Sequence, residues 1–492
     1  MRHSNAALLA GLLVLTLWLG GAAAQSDGTR IYLPLIVQER QRGVSTNLEA
    51  DAATHLGGAQ ADSGGGVGVT SDGSIVFGGT LPGYETRQVL IAGTGGTLLV
   101  FDSSGREVRA SFRVGDSIND METSAEDETV ICGHFGVLAL DRFFARRWQG
   151  DDGEGQRCAI GSGGTVAVLV GGETFVYNRA GTTLGRWSVG GGTANDIAVD
   201  ATKQQVIVTG FVQVSGNLQI PFIRAFSYDG TLRWKSYDFA AGTPNLGSAD
   251  TRGERIAIGR DGKLYFAGSI NGGTGVSIFT RDPKDTSKSA SDRTVVTDKY
   301  TDAFNVGSVK MLWYARFNSE NGELELAQSL LTRRSGDRGN SIAAAAITAD
   351  SDGTVYIAGS AAAFIANRDQ TSVAGIAPGV YSGSDAYVLV VSPDFTQRYS
   401  WVTFTGASGN GGANAVAVRN GRAALAATLN SGAFITHNAI QPLPGGDKDA
   451  YLVVWRGGAC RIRESAEPKN QRTKEQRAGS KPSTFEVVLS LR

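Results

Sequence analysis

The sequence predicts an all-β fold, a seven-bladed β-propeller of four-stranded antiparallel blades, on three observations. A module of two short strands joined by a Gly-containing turn recurs seven times, at 66–79, 118–133, 158–171, 195–210, 254–268, 340–359 and 414–428. A second hairpin lies between copies, as at 98–112, 175–187 and 224–234. Gly provides 67 of the 492 residues and Pro only 11, which is typical of a chain with many tight turns and unlike collagen or Pro-rich disorder.

The strands of each module are predicted from local patterns. Apolar and polar residues alternate over four to six positions, which is the period of a half-buried strand. The turns contain pairs such as Asp229-Gly230 and Ala180-Gly181, where Gly takes a positive φ without steric cost. Two hairpins per unit give four antiparallel strands per blade. Large aromatic residues at or near the ends of the outer hairpins are predicted to pack between blades: Trp148, Trp187, Trp234 and Trp401.

The two ends of the repeat predict how the ring closes. The chain opens with a lone outer strand at about 47–56, and its last unit ends on a third strand at 450–455. We therefore expect the N-terminal strand to complete the last blade and to leave no open sheet edge. Insertions are expected at 281–310, as an exposed loop, and at 364–384.

Five stretches carry a family resemblance. They are Asp385-Ala-Tyr-Val388 with Tyr399-Ser-Trp401, Asn414-Ala-Val-Ala-Val418, and the repeats of the first element at 449–452 and 301–304. In these the chain resembles the bacterial seven-bladed β-propeller repeat (SBBP) family over about 46–456. The resemblance implies a propeller in an exported or surface protein, and it implies no catalytic residues.

The N-terminus predicts export. Arg2 and His3 precede an apolar run at 6–19, and Ala22 and Ala24 form a small-residue cleavage signal. We expect a signal peptide at 1–24, a leader at 25–45, the propeller at 46–456 and a basic, disordered tail at 457–492. The mature protein is then secreted or held at the cell surface, with no membrane span and as a monomer.

Cysteine and charge counts set further limits. The three cysteines, Cys132, Cys158 and Cys460, leave at least one thiol unpaired. Cys132 and Cys158 either pair across neighbouring sheets or remain buried free thiols. The 46 Lys and Arg residues against 47 Asp and Glu argue against a nucleic-acid partner, which requires a basic face.

Recurrent asparagines are the candidate binding residues. They precede the first strand of a unit, which is innermost in a propeller, and two are followed by an aspartate. The set, Asn119, Asp120, Asn195, Asp196, Asn340 and Asn414, is predicted either to line one mouth of the channel as a ligand site or to bond locally to backbone because the unit repeats.

Other chemistry finds little support in the sequence. No His pair has metal-ligand spacing and no nucleophile elbow occurs, so neither a metal site nor a catalytic residue is predicted. Asp350-Ser-Asp-Gly353 and Asp151-Asp-Gly-Glu154 offer oxygen ligands that either bind calcium or cap tight turns.

These observations favour an exported, non-catalytic propeller that binds or displays a protein or glycan partner. One alternative is an enzyme, either a calcium-assisted hydrolase or lyase or a quinone-dependent oxidoreductase, the latter suggested by the hairpin at 228–234. Another is a purely structural surface component. The convergence of several acids at one channel mouth would favour the enzyme.

Overall fold

The structure is a computed structural model that describes residues 45–271, 277–302, 309–334 and 338–457. The expected signal peptide, the leader up to residue 44, Cys460 and the tail from 458 onward lie outside these residues. Among the described residues, no helix has the length and apolar character needed to cross a bilayer.

Seven four-stranded antiparallel sheets follow one another around a ring, which confirms the predicted seven-bladed propeller. Two strands precede the first blade, β1 (Asn47–Leu48) and β2 (Ala50–Leu56). Written from its innermost strand, blade 1 comprises β3 (Ser63–Val69), β4 (Ile75–Thr80), β6 (Gly96–Phe101) and β7 (Val108–Val114), with β5 (Gln88–Ile91) parallel to β7. Blade 2 comprises β8 (Asp120–Thr123), β9 (Thr129–Gly133), β10 (Gly136–Leu140) and β11 (Arg146–Gly150). Blade 3 comprises β12 (Arg157–Ile160), β13 (Val166–Val170), β14 (Glu173–Tyr177) and β15 (Thr183–Ser188).

The remaining blades follow the same order from the innermost strand outward. Their strands are these: blade 4, β16 (Thr193–Asp200), β17 (Gln205–Ser215), β18 (Leu218–Ser227) and β19 (Leu232–Ser236); blade 5, β20 (Asp250–Ile258), β21 (Leu264–Asn271), β22 (Lys310–Phe317) and β23 (Leu324–Leu330); then the short pair β24 (Thr332–Arg333) and β25 (Gly339–Asn340); blade 6, β26 (Ile342–Ala349), β27 (Val355–Ala361), β29 (Asp385–Val391) and β30 (Arg398–Thr403), with β28 (Ser372–Val373) inside its insertion; blade 7, β31 (Asn410–Arg419), β32 (Arg422–Ser431) and β33 (Asp449–Arg456). Short 3-10 turns occur at Ser162–Gly164, Ile278–Thr280, Ser291–Arg293 and Arg368–Gln370.

The ring closes as the sequence predicts. The N-terminal strand β2 pairs antiparallel with β33, so that Ala53 faces Val453, and it becomes the outer strand of blade 7. One sheet therefore contains both ends of the repeat region. This arrangement removes the open edge that a three-stranded last blade would leave.

Burial differs between strands because blades pack face to face. The middle strands, such as β13 and β32, are buried almost continuously, since a neighbouring blade covers each of their faces. The outer strands β11 and β15 have partly buried and exposed residues, and only β15 alternates, over its last five positions. The middle strands are therefore covered on both faces, while these outer strands are more exposed.

Tryptophans of the outer strands cover turn glycines of the next blade. Trp148 lies over Gly181 and Trp187 over Gly230, and an added Cβ at these glycines would lie 2.6 and 2.8 Å from the indole. Trp234 covers Gly322 in the same way, with a contact at 2.4 Å for that added Cβ. As predicted, these residues pack between blades and do not form an exposed platform.

The first insertion is less exposed than expected. Phe279 stacks on Trp313 with ring centroids 4.0 Å apart, and Ala290 is buried. The backbone N–H of Val295 also donates to the carbonyl of Ala327 in β23, at 2.8 Å. The exposed loop expected at 281–310 is therefore wrong in part, because apolar residues on both sides of its polar stretch anchor it to blade 5.

Candidate functional site in the central channel

The innermost strands enclose a cavity of about 380 Å³ on the ring axis. We call the face at which these strands begin the upper face and the opposite one the lower face. None of the described residues that line the cavity is aromatic. Its walls are made by short apolar residues on one side and by charged residues on the other.

A bulge occurs at the same level in the innermost strands of five blades. In β16 the register shifts between Ala194 and Asp196, and in β20 it shifts between Gly253 and Arg255. The same shift occurs in β3, β26 and β31, whereas β8 and β12 pair with their neighbours without one. From blade 1 to blade 7 the residues at this level are Gly66, Asp120, Arg157, Asp196, Arg255, Ala346 and Ala415, and all of them except Gly66 line the cavity.

Charge at this level is confined to half of the ring. Acid and arginine alternate over blades 2 to 5, while blades 6, 7 and 1 contribute alanine or glycine. Three further charged residues line the cavity, Glu122 of β8, Asp200 at the end of β16 and Arg260 after β20. The channel therefore holds four carboxylates and three guanidinium groups, with an apolar wall opposite.

Three of these carboxylates are also bonded to the next blade. Asp120 Oδ2 accepts the backbone N–H of Cys158 at 3.1 Å, and Glu122 Oε2 accepts that of Ile160 at 3.0 Å. Asp196 Oδ2 accepts the N–H of Ile256 at 2.9 Å. These bonds use one oxygen of each acid to join blade 2 to blade 3 and blade 4 to blade 5.

The three channel arginines differ in the hydrogen bonds that their guanidinium groups donate. Arg255 donates to the backbone carbonyls of Ala345 and Glu254, and Arg260 Nε donates to that of Val418 at 2.8 Å. Arg157, whose side chain is 25% exposed, faces Asp120 at 3.8 Å, which is too long for a hydrogen bond. Within the described part of the chain, its guanidinium donates no hydrogen bond.

Burial changes the protonation of the channel acids. It raises the pKa of Glu122 to about 7, although the N–H of Ile160 opposes this rise. Burial also raises the pKa of Asp196 to about 6, against the lowering effect of Arg255 and Arg157. Near neutral pH, Glu122 therefore exists in both protonation states.

Long arginines cross the lower face. Arg260 of blade 5 reaches past blade 6 to Val418 in blade 7. Arg419 of blade 7 forms an ion pair with Asp127 in blade 2 at 2.5 Å and so spans blade 1. Each of these two side chains therefore joins two blades that are not neighbours in the ring.

The structure brings three of the six predicted residues to the cavity, namely Asp120, Asp196 and Asn414. Asn119 and Asn195 do not line it, because their amides donate to the next blade, to Gly155 O at 3.0 Å and Gly253 O at 2.7 Å. One of the two alternatives expected from the sequence was hydrogen bonding to nearby backbone. The structure shows bonding to backbone, but the acceptors belong to the next blade.

The placement of Asn340 requires a correction. It lies in β25, outside the blade sheets, and its amide donates to Ala362 O at 2.9 Å. The bulge of blade 6 lies between Ala344 and Ala346, so Ala345 occupies the position of Asn195. The sequence repeat aligns Asn340 with Asn195. In the structure, however, the pairing of β26 with β27 places Ala345, five residues later, at that position.

Sequence reasoning missed Glu122, Arg157, Arg255 and Arg260. A signal exists for two of them, because Gly155-Gln-Arg157-Cys158 and Gly253-Glu-Arg255-Ile256 occupy the same position in their blades. Each follows a blade that begins with Asn-Asp. The pairing of these two patterns becomes visible only once neighbouring blades are placed side by side.

The predicted calcium candidates are used within the protein. Both oxygens of Asp350 accept backbone N–H groups, Oδ1 from Asn420 at 3.0 Å and Oδ2 from Gly421 at 2.6 Å, which tie blade 6 to blade 7. Asp152 accepts the hydroxyl of Tyr177. The geometry at these two places matches turn and blade capping.

Cys132 and Cys158 lie in neighbouring blades, and both are buried free thiols. Their sulfur atoms and a carboxylate oxygen of Asp120 all lie within 4.8 Å of one another. Burial raises the pKa of both thiols. The neutral thiol is thereby favoured, and a thiolate that would bind a metal is disfavoured. Of the two alternatives expected from the sequence, the structure shows the buried free thiols.

Comparison with known proteins identifies no family for this chain. No protein-family model matches the sequence, and no curated protein matches it. The resemblance to the SBBP family is therefore not confirmed. Among solved structures, the chain is similar to a protein described as Kuenenia stuttgartiensis hydrazine synthase, with 10% sequence identity and a TM-score of 0.44 over 76% of this chain and 94% of that one.

Proposed function

We propose that this chain is an exported, non-catalytic binding propeller whose channel takes up a carboxylate group of its ligand. The observation that carries this proposal is the guanidinium of Arg157, which lies in a concave site without a hydrogen-bond partner among the described residues. A guanidinium presents a planar fork that matches the two oxygens of a carboxylate.

The other charges of the channel select the rest of the ligand. Asp196 and Glu122 each keep one oxygen that no backbone N–H occupies, so a cationic group beside the carboxylate finds an acceptor. The alanine wall of blades 6 and 7 accommodates a short apolar segment. A zwitterionic amino acid or the end of a polypeptide has this combination of groups.

Between the partners expected from the sequence, the lining favours a protein over a glycan. Sugar rings are commonly held by stacking on aromatic side chains, and the described lining contains none. A channel of about 380 Å³ also lies near the small end of the range for ligand pockets. It suits a single residue or a free amino acid better than an oligosaccharide.

Calorimetric titration of the full chain tests this proposal. The probes are free amino acids, a tripeptide with a free or an amidated C-terminus, and neutral sugars. We expect carboxylate-bearing probes to bind, and Arg157→Gln to weaken that binding about tenfold or more, since a charge-assisted hydrogen bond contributes about 1.5–3 kcal/mol. Binding of the tripeptide alone would identify a polypeptide end, and binding of amino acids alone a free metabolite.

The matched control is Arg186→Gln, which removes an exposed arginine paired with Glu173 on the outer strand of blade 3. This variant should bind like the wild type. Absence of binding by every carboxylate probe, or equal affinity of wild type and Arg157→Gln, would contradict the proposal. Selective binding of neutral sugars would instead support a glycan partner.

A second candidate function is an acid–base enzyme, as convergence of acids in the channel allows. Glu122, with a pKa raised to about 7, and Asp196 have the perturbed titration found in many catalytic sites. Mass spectrometry of the same probe mixtures distinguishes the two functions. A product formed by the wild type but not by Glu122→Gln would indicate that the channel is a catalytic site and not a binding site alone.

A further inference from the structure

Two buried aspartates meet where the ring closes. Asp62 lies just before β3, and Asp449 is the first residue of β33, the strand that pairs with β2. Both residues have no solvent exposure. Both carboxylates lie next to Gly57, since a Cβ added at Gly57 would collide with Asp62 and lie 2.9 Å from Asp449 Oδ1.

Each carboxylate has one satisfied and one unsatisfied oxygen. Asp62 Oδ2 accepts the N–H of Gly58 at 2.7 Å, and Asp449 Oδ2 accepts that of Gly445 at 2.6 Å. The Oδ1 atoms of both residues are buried and have no hydrogen-bond partner. Within the described ranges, neither aspartate forms an ion pair with a basic side chain. Buried carboxylate oxygens without a counter-charge carry a large desolvation cost.

Blade 6 shows how the same position is neutralised elsewhere. Asp385 begins β29 with the sequence Asp-Ala-Tyr, as Asp449 begins β33, and it is equally buried. There Arg368 donates to both oxygens, from Nη2 at 3.1 Å and from Nε at 2.5 Å. In blade 7 a second carboxylate, that of Asp62, takes the place of this guanidinium.

We propose that a divalent cation, Ca²⁺, binds between Asp62 and Asp449 and supplies the positive charge that Arg368 supplies in blade 6. The two Oδ1 atoms are the charged ligands. The carbonyl oxygens of Gly58 and Gln60 lie against Gly446, in the two loops that precede the aspartates. Carboxylate oxygens on glycine-containing loops suit Ca²⁺ better than Mg²⁺, which demands a near-ideal octahedron.

Such a cation would stabilise closure of the ring. Asp62 follows the closing strand β2, and Asp449 belongs to its partner β33. A cation bound by both residues joins the chain segments on either side of this pairing. Its binding free energy therefore adds to the stability of the folded ring, because the unfolded chain does not hold the two carboxylates together.

Calcium titration of the metal-free full chain tests this site, by calorimetry and by thermal melting after dialysis against EDTA. We expect one saturable calcium site in the wild type and a rise in Tm of roughly 3 °C at about 100 times the Kd. Asp62→Asn and Asp449→Asn should each lose the calcium-dependent rise. The same concentration of Mg²⁺ should produce a smaller rise.

Two control variants distinguish loss of the calcium site from a general effect of removing a carboxylate. Asp292→Asn changes an exposed aspartate, and Asp385→Asn breaks the equivalent carboxylate in blade 6. Both should retain the calcium-dependent rise, even if Asp385→Asn lowers the starting Tm. A wild type without any calcium response would show that the proposal is wrong. A response that persists in both Asp62→Asn and Asp449→Asn would place the cation elsewhere and contradict it equally.

Discussion

Asp196 in blade 4 accepts the backbone N–H of Ile256 in blade 5 at 2.9 Å, across the boundary between two blades. The preceding residue, Asn195, donates to the carbonyl of Gly253 at 2.7 Å. Asn119 and Asp120 form the same two bonds from blade 2 to blade 3. An Asn-Asp pair thus binds the Gly-x-Arg segment of the following blade, and the arginine of that segment reaches the channel.

Replacing Asp196 should separate its bonding role from its charge. Asp196→Ala leaves the N–H of Ile256 without its acceptor and should lower the free energy of unfolding by about 1–3 kcal/mol. Asp196→Asn keeps an acceptor oxygen and should cost less, although Arg157 and Arg255 lose a counter-charge. Urea unfolding at pH 7 measures both. Equal losses would show that the charge of Asp196, and not its hydrogen bond, is what the blade boundary requires.

Replacing Gly230 by alanine should lower the free energy of unfolding by more than the backbone conformation of Gly230 alone explains. Its φ of 91° is strained for any other residue, and Trp187 would lie 2.8 Å from an added Cβ. Gly262 has a φ of 76° with no atom near an added Cβ, so it provides the matched control. We expect Gly262→Ala to cost about 1–2 kcal/mol and Gly230→Ala clearly more.

A double-mutant cycle between Trp187→Ala and Gly230→Ala measures the steric part. Because removal of the indole opens space for the new methyl group, the two losses should not add, and the coupling should fall within about 0.5–3 kcal/mol. Chemical unfolding of the four proteins gives this coupling. Additive losses, or equal losses at Gly230 and Gly262, would show that Trp187 does not constrain the turn.

His55 should make the protein less stable in acid. Burial lowers the pKa of this histidine from 6.5 to about 4, although the backbone of Phe434 opposes the shift. Between these two values the unfolded chain binds a proton that the folded chain does not. The contribution of His55 to the free energy of unfolding is therefore complete above about pH 6.5. It decreases as the pH falls and is lost by about pH 4.

The variant His55→Leu isolates this contribution, since the other titrating groups remain in both proteins. Between pH 7 and pH 5 the wild type should lose about 2 kcal/mol more of its free energy of unfolding than His55→Leu does. The exposed His134 is the control, and His134→Asn should follow the wild type. Parallel pH profiles of wild type and His55→Leu would mean that His55 titrates normally in the folded state.

Much of the architecture could be predicted because its causes are local. The hairpins follow from alternation and from turns such as Asp229-Gly230, and the closing strand follows from counting strands at the two ends. The candidate site was predicted only in part. Asp120 and Asp196 were found because they follow an asparagine in the repeat, whereas Arg157 and Arg255 have no local pattern that marks them as channel residues.

By itself, the sequence determined the number of blades, the strand that closes the ring and the aromatic residues between blades. The tertiary structure decided which side chains face the axis, because a bulge shifts five of the seven innermost strands by one residue and such a shift reverses the face on which a side chain lies. It also decided that Asp62 meets Asp449, whereas Asp385 meets Arg368. Such meetings depend on contacts between segments far apart in the chain, and no local pattern encodes them.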